Sequence, residues 1–276
     1  MRRNIRLTWL TKLVLVIVIS WFSCLVPVHA TSLSKETIAI QKLAQRDMKA
    51  AHGKWSVKVT RLNKRPLKMN TGNQKIGKQR AASTIKVFVM LSVYDKAKRH
   101  QLKLSAKTKT DLKLMIHNSD NAATNRLIHR VGGIGAVNKI VKKFQFKNTI
   151  LKRYMLDLKA INKGKDNYTT AVDLTSFLRR VYQRQLLGPK YDSKMLALLQ
   201  GCKNHSKLPK LVRGAKVYNK TGEFPTKGVQ NDAALFKTKQ GVYTVVVMAQ
   251  SGNQYYQYQG MNRLGRDVVN YLDKHK

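Results

Sequence analysis

One lysine interrupts an apolar run in the segment QRAASTIKVFVML, residues 79–91. Every residue from Ile85 to Leu91 except Lys86 is hydrophobic, and a solitary ammonium group there loses its hydration. Ser83 lies three residues earlier, so a helix would set both side chains on one face, with Cβ atoms about 5–6 Å apart. A serine nucleophile needs an adjacent base, and burial makes lysine such a base by lowering its pKa. The pair suggests this chemistry, although a lysine stem can also snorkel out of an apolar face.

Two further motifs carry groups that suit acyl transfer. The motif SDN, residues 119–121, falls at a polar break between helical patterns. A hydroxyl there can pass a proton to a leaving nitrogen, and a carboxamide can hold a substrate amide. The motif KTG, residues 220–222, lies on a candidate strand, where a cation and a hydroxyl suit a carboxylate and a glycine admits an extended substrate backbone. Alone, SDN is also typical of a helix N-cap, and KTG is more typical of a strand end that enters a turn.

The elements that must position these motifs alternate between helix and sheet. Helical spacing over residues 34–52 is followed by the alternating pattern WSVKVTRLN, residues 55–63, which is typical of a half-buried strand. Residues 81 to about 130 are helical apart from IHNSDN, and GGIGAVNKIVKKF begins another helix. Residues 150–168 predict a long irregular loop, and TTAVDLTSFLRRVYQRQLL resumes the helical pattern from a threonine cap.

Sheet patterns return near the end of the chain. AKVYNKTGE, NDAALFKT and VYTVVVMAQS are rich in β-formers, and MNRLGRDVVNYLDKHK is an amphipathic helix. The order predicts an α+β protein: an antiparallel sheet flanked by N- and C-terminal helices, with an all-helical subdomain inserted between its strands.

In this order, STIK, SDN and KTG resemble the active-site motifs of the class A β-lactamase and penicillin-binding protein family of serine hydrolases. The resemblance extends to SDNAATNRLI followed by VGG, to NYTTAVDL, and to KTG followed by GVQNDAALF. It covers residues 35–274, and three motifs in register make it specific. It implies the β-lactamase/transpeptidase-like fold and one serine hydrolase domain over residues 31–276.

The resemblance also implies catalytic roles. Ser83 would be the acylated nucleophile, Lys86 its base or proton relay, and Ser119 the proton donor to the leaving nitrogen. The enzyme would then open β-lactam amides or related amide and peptide bonds of the cell wall through an acyl-enzyme.

Substrate-binding roles follow from the same resemblance. Asn121 would contact the substrate's side-chain amide, and Lys220 and Thr221 would bind its carboxylate. Gly222 would admit the substrate backbone, and Glu223 would supply a backbone N–H to the oxyanion hole beside that of the nucleophile. A glutamate so close to a carboxylate site is unusual and could repel an anionic substrate.

The sequence departs from the family at the deacylation step. Class A β-lactamases resemble one another in carrying a glutamate after an arginine and an aromatic residue, and here Arg153 and Tyr154 are followed by Met155. Methionine cannot activate water. Asp157 is the nearest carboxylate and a possible deacylation base, and Asp166 is another in the same loop, although loop aspartates more often make turns or ion pairs.

The first thirty residues predict an export signal. Basic residues precede the apolar run LVLVIVIS, residues 13–20, and the segment ends on VHA, residues 28–30, a small-residue exit that signal peptidase accepts. We therefore predict a signal peptide over residues 1–30 and a secreted or cell-envelope protein. A retained membrane anchor is the alternative, and Cys24 is a poor match to a lipidation site.

The chain is strongly basic, with 54 Lys and Arg against 13 Asp and Glu and a formal net charge of +41. Removal of residues 1–30 lowers this charge by four, from +41 to +37. Such a field attracts polyanions. The basic residues are spread along the chain without a zinc-finger or RNA-binding signature, so we expect no nucleic acid partner. Anionic cell-wall polymers or an acidic lipid surface are the expected partners, and simple solubility is the alternative.

Three functional readings remain open from the sequence. The first is a β-lactamase-like hydrolase, the second a D-Ala-D-Ala carboxypeptidase-like penicillin-binding protein, and the third a catalytically silent, basic wall-binding protein. A buried lysine beside a serine argues against the third, because a site without chemistry has no need for it. No histidine falls at a metal-ligand spacing. We expect no metal, no cofactor and a monomer.

Overall fold

The computed structural model describes residues 34–63, 66–75 and 77–275. The predicted signal peptide, residues 1–30, lies outside them. The helices are α1 (Lys35–Met48), α2 (Lys86–Lys98), α3 (Ala106–His117), α4 (Asn121–Arg130), α5 (Gly133–Lys143), α6 (Leu158–Asn162), α7 (Ala171–Tyr182), α8 (Pro189–Gln200) and α9 (Gln254–Lys274). The strands are β1 (Lys54–Arg61), β2 (Leu67–Gly72), β3 (Gln79–Arg80), β4 (Tyr168–Thr169), β5 (Lys216–Phe224), β6 (Val229–Lys237) and β7 (Val242–Gln250).

Five strands form one antiparallel sheet in the order β2-β1-β7-β6-β5. The central strands β6 and β7 are buried along almost their whole length, because helices cover both faces of the sheet. Burial on both faces explains their nearly continuous apolar sequences. Strand β5, which carries the KTG motif, lies at the edge of the sheet.

Two hydrophobic cores lie on opposite sides of this sheet. Helices α1 and α9 pack on each other and on one face, around residues such as Ile40, Trp55 and Leu264. The helical block packs on the other face, around residues such as Ile85 and Met248. The expected α+β class and its flanking helices are confirmed.

Helix α2 runs through the helical core. Every residue from Lys86 to Asp95 is buried. Phe88 meets Phe146 and Phe177 edge to face, with ring centroids 4.9 and 5.8 Å away, and such aromatic pairs favour one geometry. The first turn of α2 is therefore held firmly, and Lys86 lies in that turn.

The structure differs from the sequence patterns in detail. Strand β2 was not expected, because it is a short edge strand with alternate residues exposed. The helical stretch over residues 81–130 is broken again at residues 99–105, and the 150–168 loop contains the short helix α6. Helix α9 begins at Gln254, earlier than predicted, because its first turn exposes Tyr255 and Tyr256. Across the described ranges, no helix has both the length and the apolarity to cross a membrane.

Candidate active site

Lys86 is completely buried at the start of α2. Its Nζ lies within hydrogen-bond distance of the backbone oxygen of Ser119 at 2.6 Å, of Ser119 Oγ at 3.2 Å and of Asn121 Oδ1 at 2.8 Å. Among the described residues it makes no hydrogen bond to Ser83, which the helical spacing had suggested as its contact. The lysine instead joins the first turn of α2 to the SDN motif.

Burial lowers the pKa of Lys86 to about 6, and the nearby charge of Lys220 adds to this shift while Asp120 opposes it. At neutral pH the amine is therefore mostly uncharged. An uncharged lysine amine has a lone pair that can take a proton from a serine hydroxyl. Burial in the apolar run thus gives Lys86 the protonation state that a general base requires.

Lys220 approaches the same serine from the sheet. Its side chain is buried, and Nζ donates to Ser119 Oγ at 3.0 Å and to the backbone oxygen of Thr221 at 2.9 Å. Burial lowers the pKa of Lys220 to about 8, so it stays largely protonated at neutral pH. Ser119 Oγ thus lies between a mostly neutral amine and a mostly charged one.

Backbone strain marks two positions of the site. Ser119 has φ +58° and Ala82, which precedes Ser83, has φ +44°, a region that non-glycine residues adopt at an energetic cost. The next residue, Asp120, caps α4 by accepting a hydrogen bond from the N–H of Ala123 at 2.6 Å. This cap fixes the turn that directs the oxygens of Ser119 toward Lys86.

Strand β5 comes unusually close to the segment that carries Ser83. A Cβ on Gly222 would lie 2.8 Å from the backbone oxygen of Ala81 and 3.0 Å from the backbone nitrogen of Ser83, so only glycine fits. Ser83 is in the 3-10 turn Ala82–Ile85, whose first N–H groups have no acceptor within the turn. This proximity suits the expected oxyanion hole between the N–H groups of Ser83 and Glu223.

Asn231, on β6, secures this approach and was missed by sequence reasoning. Its Nδ2 donates to the backbone oxygens of Arg80 and Ala81 at 2.8 and 3.0 Å, and its Oδ1 accepts from the N–H of Ala249 at 3.1 Å. The side chain ties the segment before the nucleophile to two strands. In the sequence, the only indication of its importance is its place in the segment GVQNDAALF, which is part of the resemblance to the family.

The carboxylate of Glu223 is neutralised within the fold. It accepts hydrogen bonds from Asn204 Nδ2 at 3.1 Å and from the hydroxyl of Tyr258 at 3.0 Å, and it pairs with Lys207 Nζ at 3.1 Å. Although burial opposes the shift, the charge of Lys207 lowers the pKa of Glu223 below its usual value. Its repulsion of an anionic substrate is therefore largely offset.

Lys207 is buried like Lys220, but the sequence did not indicate its role. Its side chain is fully buried, and Nζ also donates to the backbone oxygens of Gly222 at 3.3 Å and Asn231 at 3.2 Å. It thus supports the KTG strand from behind. In the lysine-rich segment KNHSKLPK it carries no distinguishing pattern.

The loop that follows α5 is anchored beside the site by ion pairs. Arg153 Nε donates to Asp166 Oδ1 at 2.8 Å, and Arg80 also pairs with Asp166. Two arginines therefore hold Asp166 in ion pairs, which makes it a structural anchor of the loop.

Met155 stands where the resemblance to class A β-lactamases places a glutamate. Its backbone is clamped by Asn125, whose Oδ1 accepts from the Met155 N–H at 2.8 Å and whose Nδ2 donates to the Met155 oxygen at 3.1 Å. The side chain is 7% exposed and lines a cavity of about 120 Å³ beside Ser83. The other lining residues are Ala82, Asn121, Arg153, Leu156, Leu158, Ile161, Glu223 and Phe224.

Asp157, the possible deacylation base, does not line this cavity. Its carboxylate caps α6 by accepting a hydrogen bond from the N–H of Ala160 at 2.9 Å, which is a structural use of a loop aspartate. Its catalytic role stays a prediction. In the described part of the chain, no group of three or more His, Cys, Asp and Glu residues is placed to hold a metal ion.

This sheet and helical block, with a serine and two buried lysines at their junction, place the protein in the β-lactamase/transpeptidase fold class. A model of the beta-lactamase enzyme family matches residues 107–272, which is more than half of the chain. The protein therefore belongs to the beta-lactamase enzyme family.

Similar proteins agree with this assignment. A beta-lactamase from Streptomyces cellulosae is 31% identical over 132 residues, which span 46% of this chain and 42% of that protein. The match therefore covers less than half of the length of this curated relative.

Solved structures share the fold at low sequence identity. TLA-1 extended-spectrum beta-lactamase superposes with a TM-score of 0.76 at 21% identity, covering 86% of this chain and 99% of that one. The beta-lactamase from Sphaerobacter thermophilus gives 0.72 at 20% identity, with 86% and 98% covered. PBP-A gives 0.72 at 22% identity, with 88% and 97% covered. At these identities the likeness concerns the fold alone.

The depressed pKa of Lys86 predicts how stability responds to pH. The pKa of Lys86 is about 6 in the folded protein and has its ordinary lysine value in the unfolded chain. Between these two values unfolding takes up a proton. The free energy of unfolding of the wild type therefore rises with pH by about 1.4 kcal/mol per unit, and this stability is lost toward acid. Lys86→Met removes this proton uptake. The free energy of unfolding of the wild type, relative to Lys86→Met, should therefore rise between pH 6.5 and 8.5 by roughly 2–3 kcal/mol.

Urea unfolding at several pH values measures this difference. Lys190→Met is the matched control, because Lys190 is exposed on α8, and it should keep the wild-type pH dependence. Parallel stability curves for the wild type and Lys86→Met would show that Lys86 remains charged in the folded protein.

Proposed function

We propose that this protein is an exported serine acyl-enzyme hydrolase that is acylated rapidly at Ser83 and deacylated slowly, as a penicillin-binding protein is. Its substrates are β-lactams or related amide and peptide bonds of the cell wall. The observation that carries the proposal is the position of Ser119 Oγ between Nζ of Lys86 and Nζ of Lys220, at 3.2 and 3.0 Å. Export rests on the sequence of residues 1–30, which lie outside the described structure.

We propose the following acylation step for these residues. Ser83 Oγ attacks the substrate carbonyl carbon and gives its proton to the neutral amine of Lys86, while the N–H groups of Ser83 and Glu223 hold the oxyanion. The C–N bond then breaks, Ser119 Oγ gives its proton to the leaving nitrogen, and the Lys86 ammonium restores that proton to Ser119. Lys220, still charged, binds the substrate carboxylate with Thr221.

Among the residues that line the cavity beside Ser83, deacylation lacks an evident base. The cavity beside Ser83 is walled largely by apolar side chains, including Met155, Leu156 and Phe224, and its one carboxylate, Glu223, is engaged by Lys207. Without a general base, attack by water on the ester is slow. PBP-A, which shares this fold, has been seen as an acyl-enzyme with penicillin G in one variant, and the same kind of adduct is proposed here.

A persistent adduct is the direct test. After mixing with a fluorescent penicillin, the mature protein should gain the mass of one penicillin, and peptide mapping should place it on Ser83. Ser83→Ala should remain unmodified. Ser193→Ala, which changes an exposed serine on α8, is the matched control and should be labelled like the wild type.

The time course of the penicillin adduct distinguishes the three functional interpretations. An adduct that persists supports slow deacylation, and one that forms and clears within seconds indicates a true β-lactamase with another base. Absence of any adduct on the folded protein, with penicillins and with acyl-peptide analogues alike, would contradict the proposed acyl-enzyme and favour a catalytically silent wall-binding protein.

Installing a carboxylate at position 155 should create turnover. Because Asn125 holds the backbone of Met155 and not its side chain, Met155→Glu should keep the loop in place. We expect the lifetime of the penicillin adduct to fall at least about tenfold, since a general base contributes this much or more. Met155→Gln, of the same size but without a base, should not shorten it.

Asp157→Asn tests the alternative base in the same assay. Asparagine also caps helices, so α6 is expected to form as before. An unchanged adduct lifetime is expected, and a clear lengthening would assign deacylation to Asp157.

The two lysines predict a bell-shaped pH profile for acylation. Below about pH 6 Lys86 is protonated and cannot accept a proton, and above about pH 8 Lys220 loses the charge that binds a carboxylate. The second-order rate of adduct formation should therefore be highest between these values. Lys220→Arg should move the alkaline limb upward, because a guanidinium stays charged. An acid limb that is absent down to pH 5 would contradict the role of Lys86.

The acidic side chains are engaged within the fold, and this favours a second function, attraction to polyanions. All 13 acidic side chains form ion pairs or accept hydrogen bonds within the fold. The ion-paired residues are Glu36, Asp47, Asp95, Asp111, Asp166, Glu223 and Asp267. The hydrogen-bonded residues are Asp120, Asp157, Asp173, Asp192, Asp232 and Asp273.

With its acids committed internally, the protein presents a strongly positive field, which concentrates anionic polymers or acidic headgroups. We propose that anionic cell-wall polymers are the partner and that they hold the enzyme near its substrate. Binding to purified wall polymer should weaken strongly between low and high salt. Ser83→Ala should bind like the wild type, and an affinity independent of salt would contradict the electrostatic partner.

A further inference from the structure

A second, larger cavity opens on the other side of the candidate site. Its volume is about 640 Å³, and its wall includes Ser119 and Lys220 but not Ser83. The smaller cavity beside Ser83 contains neither of those residues. Because Ser119 is expected to meet the leaving nitrogen and Lys220 the carboxylate, the large cavity lies where the leaving group of a substrate would extend.

The wall of this leaving-group cavity is cationic. Lys203 and Lys210 line it in addition to Lys220, together with His117 and His205, and no aspartate or glutamate does. Lys203 and Lys210 are exposed, and within the described residues neither pairs with a carboxylate. Their charges face a space that holds no balancing anion from the protein.

Part of the cavity wall is the segment 201–206, whose backbone packs against the end of α3. The N–H of Lys203 donates to the backbone oxygen of His117 at 3.0 Å, which joins this segment to the end of α3. A Cβ on Gly201 would lie 2.1 Å from His117 Nε2, so glycine makes room for the imidazole. Asn204 Oδ1 accepts from the N–H and Oγ of Ser206 at 3.1 and 2.7 Å. The backbone of this part of the cavity wall is therefore held in place beside His117.

We infer that the leaving-group cavity binds a second oxyanion of the substrate, beyond the carboxylate expected at Lys220 and Thr221, through Lys203 and Lys210. The identity of the bound part as a leaving group rests on the proposed function. The preferred substrate would thus carry a dicarboxylate or a phosphate-bearing leaving group on an apolar acyl group, because the cavity beside Ser83 is largely apolar. Charge at one end and apolar contact at the other would set the direction of binding.

Equilibrium binding tests the inference without catalysis. The probes are mercaptosuccinate, its monoamide, which has the same size but one negative charge fewer, and phosphoglycolate, which replaces the second carboxylate by phosphate. In low salt, calorimetry should show mercaptosuccinate binding roughly fivefold to tenfold more tightly than the monoamide. If phosphoglycolate binds more tightly than mercaptosuccinate, the site prefers phosphate. If the two bind with equal affinity, the site accepts oxyanions in general.

Matched charge variants separate a local site from the general field. Lys203→Gln/Lys210→Gln should reduce the ratio between the two mercaptosuccinate probes to less than about twofold. Lys159→Gln/Lys163→Gln removes two exposed lysines of α6 and its C-terminus, changes the net charge equally, and should keep the ratio. Equal affinity of both probes, or an equal fall of the ratio in both double variants, would overturn the inference.

His117 provides a local signal for occupancy. Burial and then the charges of Lys113 and Lys203 lower the pKa of His117, so an anion bound near Lys203 should raise it. NMR titration of the imidazole with and without mercaptosuccinate measures this change. An unchanged titration of His117 at saturating probe would place the anion elsewhere and overturn the inference.

A kinetic comparison then links the cavity to the reaction. Phenylacetyl thioesters of mercaptosuccinate and of its monoamide should acylate Ser83 at rates whose ratio follows the binding ratio in each variant. Failure of both thioesters and of penicillin to acylate would contradict the proposed function, whereas the calorimetric and NMR results would still decide whether the oxyanion site exists.

Discussion

The cost of burying the amine of Lys86 is the constraint on which the site depends. No carboxylate in the described structure pairs with this amine, so the fold compensates with oxygen acceptors from Ser119 and Asn121 and by letting the amine lose its proton. That solution requires a rigid surrounding. The aromatic packing of Phe88 in α2 and the strained backbone at Ser119 supply it. A looser core would admit water, restore the pKa and remove the base.

Charge is divided sharply between the inside and the outside of the molecule. The carboxylates serve as helix caps, ion-pair partners and loop anchors, whereas the excess of lysines and arginines faces outward or lines the leaving-group cavity. The two cavities beside the site continue this division, because one is largely apolar and the other cationic. The proposed attraction to polyanions and the proposed binding in the cavity would thus use the same excess of positive charge at different distances.

Much of this arrangement could be predicted from the sequence, and the exceptions have physical reasons. The order of elements and the three motifs are local patterns, so the α+β fold and the neighbourhood of Ser83, Lys86, Ser119 and Lys220 were foreseeable. The partner of Lys86 was not, because it depends on how the loop after α3 returns to α2. Lys207 and Asn231 act through tertiary contacts, and nothing local distinguishes one lysine or asparagine from its neighbours. Asp157 shows the converse, since proximity in sequence did not bring it to the cavity.

The clamp on the Met155 backbone has an evolutionary consequence. Because Asn125 holds main-chain atoms only, this clamp does not depend on which side chain stands at position 155, and in the proposed mechanism that side chain decides whether a carboxylate can activate water. The genetic code, however, separates methionine from glutamate by more than one base change. The direct intermediates are valine, which has no proton acceptor, and lysine, which would add another cation beside Arg153. In the proposed mechanism, a change from methionine to glutamate would therefore pass through a residue that has no carboxylate.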